Sequence, residues 1–230
     1  MKIACGMWLA LMAMVQAGGL VFPEILKEVH ASADAESVTT DFEFTNRSDK
    51  PVAIAKYDSG CSCMAVMVKD GKLRYAPGES GLIRTVFKMG NFAGVVDKMV
   101  ALWIDNDPVD NPSLSLTVRV NIPVLVSLEP KTLKWDLDGK GEPQTIKIRM
   151  NYDKPIRVTG VTATSESFKT ELKTVEEGKS YDLIVTPQDI KTPGLGIFRI
   201  ETDCPLEKHR IQQAFASVRR PSPSVAAPKP

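Results

Sequence analysis

Histidine is nearly missing from these 230 residues: there are two, His30 and His209, and their positions in the sequence show no metal-ligand spacing. Only three Trp are present, no run of Lys or Arg forms a basic stripe, and the formal net charge is +1. Few Trp and His are left for stacking and no electrostatic footprint forms, so nothing in the sequence asks for nucleic acid, and none is expected as a partner. No Ser-His-Asp set, HExxH helix or phosphate-cradling glycine loop occurs, and no pair of acids has a distinguishing context. The expectation is a protein that is not an enzyme. The chain also lacks an apolar run of the ~20 residues that span a bilayer, and beyond residue 17 it lacks any convincing helical period.

What is present begins with a short positive start, Met1-Lys2, and the uncharged run "IACGMWLALMAMV". Val15 and Ala17 then occupy the two small-residue positions that a signal peptidase reads. Residues 1–17 are expected to be a signal peptide, leaving a secreted or periplasmic chain with no membrane span. At the other end, 219–230 reads "RRPSPSVAAPKP", a proline-rich stretch without apolar periodicity and an expected disordered tail. Removing the signal removes Cys5 and leaves three cysteines, Cys61, Cys63 and Cys204. An odd number in an oxidising compartment implies one bridge and one free thiol, or three thiolates around a metal.

Between the ends the period is two. In "LSLTVRVNI" Leu114, Leu116, Val118, Val120 and Ile122 face one way and the polar residues the other, the pattern of a half-buried strand. "DFEFTN" and "TIKIRMN" repeat it, with turn signals such as "NRSDKP", "APGESG", "DNDPVDNP" and "DLDGKGEP" between such runs. Asn46-Arg47-Ser48 fits a glycosylation acceptor but reads as a turn, "DLDGKGE" as a hairpin turn, and "DNDPVDN" as a solvated loop. "FEFTNRSDKPVAIAKYDSG" and "IKIRMNYDKPIRVTGVTAT" share an Asn, then Asp-Lys-Pro, then an apolar alternation. "ALWIDNDP" and "IFRIETDCP" match later in the same order, about 100 residues apart. The fold class is all-β, two tandem immunoglobulin-like β-sandwiches spanning 18–126 and 127–218.

Phe42-x-Phe44-x-Asn46, Lys50-Pro51, the Cys61-x-Cys63 turn and Pro77-Gly78-Glu79-Ser80-Gly81 resemble the bacterial immunoglobulin-like family called domain of unknown function 1573. That family is similar to the ASPM/SPD-2/Hydin and PapD-like sandwiches. The resemblance covers about residues 20–125; the family's commoner Cys-Gly-Cys-Thr turn is here Cys61-Ser62-Cys63-Met64. The second copy has "TSESF" where the cysteines would be. The resemblance implies an exported sandwich without known catalysis and supplies no ligand.

Strand order puts the Cys61–Cys63 turn at the end of the first sandwich from which the last strand leaves, and Cys204 at the end of the second where the chain enters. The expectation is a cluster of cysteines at the junction between domains. A bridge between residues i and i+2 is strained, even in a turn. A bridge from Cys61 or Cys63 to Cys204 is therefore expected, closing a loop worth about 4–5 kcal/mol by chain entropy. Two alternatives stay open: a Cu(I) site of soft donors, with Cys61, Cys63, Cys204 and Met64 as ligands and Met67 nearby, or thiol redox exchange. The expected partner is another envelope protein or a cell-surface component, bound through strand edges.

Overall fold

The computed structural model describes residues 15–220, and it divides between Pro123 and Val124 into two compact units. Residues 1–14 of the expected signal peptide and 221–230 of the expected tail lie outside the described residues. Among the described residues no helix is long and apolar enough to cross a membrane.

The first unit contains β1 (Val15–Ala17), β2 (Leu20–Phe22), β3 (Leu26–His30), β4 (Ser37–Asn46), β5 (Val52–Asp58), β6 (Met64–Val68), β7 (Arg74–Tyr75), β8 (Ser80–Lys88), β9 (Gly94–Ile104) and β10 (Leu114–Ile122). One sheet has the order β1-β2-β4-β8-β6 and the other β3-β10-β9-β5-β7. The alternation read from β10 is the observed one, with Leu116, Val118 and Val120 fully buried. Phe22, Phe44 and Tyr75 pack through the centre at 5.2 and 4.8 Å between ring centroids. Gly81 lies opposite Phe44 across the β4–β8 pair, and a methyl group there would collide with the Phe44 and Tyr75 rings. Val15–Ala17, the last three residues of the expected signal, pair with β2 and bury Ala17 in this core.

The second unit contains β11 (Val126–Glu129), β12 (Thr132–Asp136), β13 (Gln144–Met150), β14 (Val158–Ala163), β15 (Phe168–Glu176), β16 (Ser180–Pro187), β17 (Gly194–Thr202) and β18 (Ile211–Arg219). Its sheets run β11-β13-β16-β15 and β12-β18-β17-β14. Position for position this is the order of β2-β4-β8-β6 and β3-β10-β9-β5, including the parallel pairing of β3 with β10 and of β12 with β18. The two units are immunoglobulin-like sandwiches of one topology, as the repeated sequence pattern requires.

Two loop readings are corrected. "DLDGKGE" is not a hairpin turn: β12 and β13 lie in different sheets, so the loop crosses between layers. The acidic loop after β9 is not simply solvated. Asp105 accepts the Ala53 amide at 2.9 Å, and one Asp107 oxygen accepts the amides of Ile104 and Ser113 and the Ser113 hydroxyl. Desolvation pushes the Asp107 carboxyl up, but these amide and hydroxyl donors outweigh it and hold it below the usual carboxylate range.

Candidate functional site

Most of the residues that carry the family resemblance are architecture. Asn46 is fully buried, and its side-chain amide donates to the carbonyls of Lys50 and Tyr75 at 2.8 and 2.9 Å. Its oxygen accepts the Ser48 amide and hydroxyl, and its backbone bonds Gly78 and Glu79. Asn46 therefore ties the end of β4 in one sheet to β7 in the other and anchors the Pro77–Gly81 turn, with no donor or acceptor left over. That bears out the turn reading of Asn46-Arg47-Ser48. Asn151, its sequence counterpart, is exposed and bonds Val124 and Ser127 instead.

The Cys-x-Cys turn connects β5 of one sheet to β6 of the other. Gly60, at φ +61°, starts the reversal, capped by the Asp58 carboxylate on its amide. The Ser59 hydroxyl bonds the carbonyls of Cys61 and Met64, and the Met64 amide returns to Cys61 O at 3.2 Å. This curl brings the two cysteine Cα atoms to 5.2 Å, and Cys61 and Cys63 are joined as a disulfide. The expected bridge to Cys204 is corrected accordingly. Within this closed turn the i and i+2 side chains converge within disulfide reach. The Cys63 amide also points at Cys61 Sγ at 3.0 Å. Both cysteines are half-buried and Ser62 between them is exposed.

The turn lies where β8 ends and β9 begins, with the Lys88 amide bonded to Cys63 O. It is the end of the first unit at which β10 leaves, since Ile122 pairs with Gly94. Cys204 follows β17 at the end of the second unit where β13 finishes and β11 starts. Its thiol is free and fully buried, with its amide on Thr202 Oγ1 at 3.4 Å.

The Cu(I) donor set does not fit this arrangement. Cys61 and Cys63 are spent on each other rather than held as thiolates, and Cys204 is buried in its own unit's core. Met64 faces inward along β6 and is buried, whereas Met67 faces outward, so the two thioethers cannot share an ion. Among the described residues no group of three or more His, Cys, Asp or Glu is placed to hold a metal.

The second unit holds an equivalent turn without sulfur. Ser165 and Ser167 occupy the positions of Cys61 and Cys63 between β14 and β15. Ser165 Oγ donates to Ser167 Oγ at 2.9 Å and accepts the Ser167 amide at 3.1 Å. The Gln188 amide bonds Ser167 O just as Lys88 bonds Cys63 O. The "TSESF" alignment marked the position; that two hydroxyls reproduce the closed turn was not legible in it.

Sequence reading also missed a strand edge. β5 leaves its sheet at Asp58, opposite Ala101, so Gly94–Val100 of β9 pairs only with β10 among the described strands. Val95 and Met99 on the outer face of this edge are 67% and 61% exposed. Lys98 occupies an inward position opposite Val118, its ammonium 4.2 Å from the Phe92 ring centroid. Beyond Asp58 the chain turns at Gly60 and crosses to β6 in the other sheet.

An all-β sandwich with an inter-sheet asparagine clip and a Cys-x-Cys crossing turn defines the first unit as an immunoglobulin-like module. Residues 23–122 match the family described as "Protein of unknown function (DUF1573)". No curated protein matches the chain. Among solved structures it is similar to a protein of unknown function from Porphyromonas gingivalis W83, at 14% identity and TM-score 0.35, covering 89% of this chain and 100% of that one. It is also similar to the Salmonella enterica SafA pilin in complex with the SafB chaperone, at 12% identity and TM-score 0.34, covering 88% and 97%.

Proposed function

We propose that this protein is an exported, non-catalytic two-sandwich module of the bacterial envelope that binds another envelope protein or cell-surface component by strand addition along β9. The observation that carries this reading is the one-sided pairing of Gly94–Val100. Unpaired backbone groups on a sheet edge template an incoming extended segment, and pockets or exposed side chains beside them supply selectivity. Val95 and Met99 offer apolar contacts to such a segment. Lys98, a charge at an inward position, discourages indiscriminate pairing. The signal-like N-terminus supports export.

The test is capture from cell-envelope extract with the full chain, its Val95→Lys/Met99→Lys variant, and Val109→Lys as a control on an exposed loop residue. Strand addition predicts that the edge variant loses the partner at least tenfold while the control keeps it. In the complex, amide hydrogen exchange across 95–100 slows at least tenfold. Equal capture by both variants, or unchanged exchange along β9, refutes the reading.

A further inference from the structure

We propose that Cys61–Cys63 is a thiol–disulfide exchange site and that Cys61 is the sulfur that forms the mixed disulfide with a dithiol partner. Such a site is independent of strand addition along β9. In the second unit Ser165 and Ser167 hold the same reversal, with the same amide-to-side-chain bond and the same anchoring amide from the neighbouring strand. The turn therefore does not need a covalent link to keep its shape. A disulfide dispensable for geometry can open and close while the sandwich stays folded, because the dithiol keeps the hydrogen-bonded frame of Ser59, Met64 and Lys88.

The environment distinguishes the two sulfurs. Cys63 is among the half-buried residues packed against the hydrophobic core, and Cys61 is not. Cys61 Sγ instead receives the Cys63 amide at 3.0 Å, a donor that stabilises negative charge on that sulfur when the bond is broken. Exchange needs an accessible sulfur for the partner and a second thiol behind it to resolve the mixed disulfide. Cys61 fits the first role and Cys63 the second.

With a dithiol reductant, one partner thiolate attacks Cys61 Sγ, the Cys61–Cys63 bond breaks, and Cys63 leaves as a thiolate that takes up a proton. The partner's second thiolate then attacks its own sulfur in the mixed disulfide. The partner disulfide forms and Cys61 leaves as the thiolate held by the Cys63 amide. Two electrons pass from the partner dithiol to the Cys61–Cys63 pair. The reverse sequence oxidises a partner dithiol.

The experiment uses the full chain carrying Cys5→Ser, reduced with dithiothreitol without denaturant and then alkylated. The expected result is modification of Cys61 and Cys63 with Cys204 untouched and the thermal transition of the sandwich retained. Reduction that occurs only as the backbone amides of β4 and β8 lose their protection from hydrogen exchange means the bond opens by unfolding of the first unit, and overturns the proposal. With oxidised glutathione, Cys63→Ser forms the mixed disulfide at least tenfold faster than Cys61→Ser; equal rates overturn the assignment of Cys61. Should either variant misfold, glutathione trapping on the reduced chain with both cysteines present decides: an adduct mapped to Cys61 supports the proposal, and one on Cys63 refutes it.

Discussion

Replacing Asn46 by aspartate changes one NH2 group into an oxygen, and the structure sets the consequence. That NH2 faces two carbonyls, Lys50 O and Tyr75 O, at 2.8 and 2.9 Å in a site with no exposure. A carboxylate there places negative charge against two acceptors and leaves both unsatisfied. A buried polar group deprived of its partner costs about 1–3 kcal/mol, so Asn46→Asp at pH 7 loses about 4 kcal/mol or more. That is a large part of a domain's typical stability of about 5–15 kcal/mol. The pH dependence carries the sharper test. Only the protonated acid donates to a carbonyl, so folding raises the pKa of the introduced carboxyl above its unfolded value of about 3.9. The folded state then binds more protons than the unfolded one, and stability rises as pH falls towards the unfolded value. The gap between Asn46→Asp and the parent chain should narrow between pH 7 and about pH 4.5, by as much as ~1.4 kcal/mol per pH unit within the titrating range. Urea unfolding followed through NMR signals of β4 and β8 reads the first unit alone. A variant as stable as its parent at pH 7, or a gap that widens on acidification, refutes the donor assignment.

Gly81→Ala places a methyl group into the Phe44 and Tyr75 rings and should cost about 1–3 kcal/mol as overpacking, read as a lower urea midpoint at constant slope. Asp107→Ala removes the acceptor of the Ile104 and Ser113 amides and should cost about 2 kcal/mol at neutral pH. Because folding lowers the Asp107 titration, its contribution is complete above about pH 5 and is lost as pH falls below about pH 4 through the folded value. The parent and Asp107→Ala should therefore converge in acid because the parent loses stability, whereas Asn46→Asp approaches its parent by gaining it; urea unfolding across that range separates the two trends.

Alternation was enough to give the strands. Which residues of β10 turn inward depends only on a period of two and on apolar side chains leaving water, both local properties of "LSLTVRVNI". The doubled Asn, Lys-Pro and β-strand pattern likewise announced two sandwiches of one topology, because each copy must bury its own core. The cysteine pairing was not legible. Chain topology favoured a long-range bridge to Cys204, but the Ser59 and Met64 hydrogen bonds that curl the turn make the short-range closure available first. Nor could local pattern tell that "DLDGKGE" crosses between sheets, or that β5 departs at Asp58 and leaves Gly94–Val100 without a second partner among the described strands. Sequence by itself determined the strands, their faces and their repetition, since these are fixed by neighbours along the chain. Tertiary structure alone decided the sealed Asn46 clip and, among the described strands, the one-sided pairing of β9, since each depends on which backbone groups arrive to satisfy or forsake a hydrogen bond.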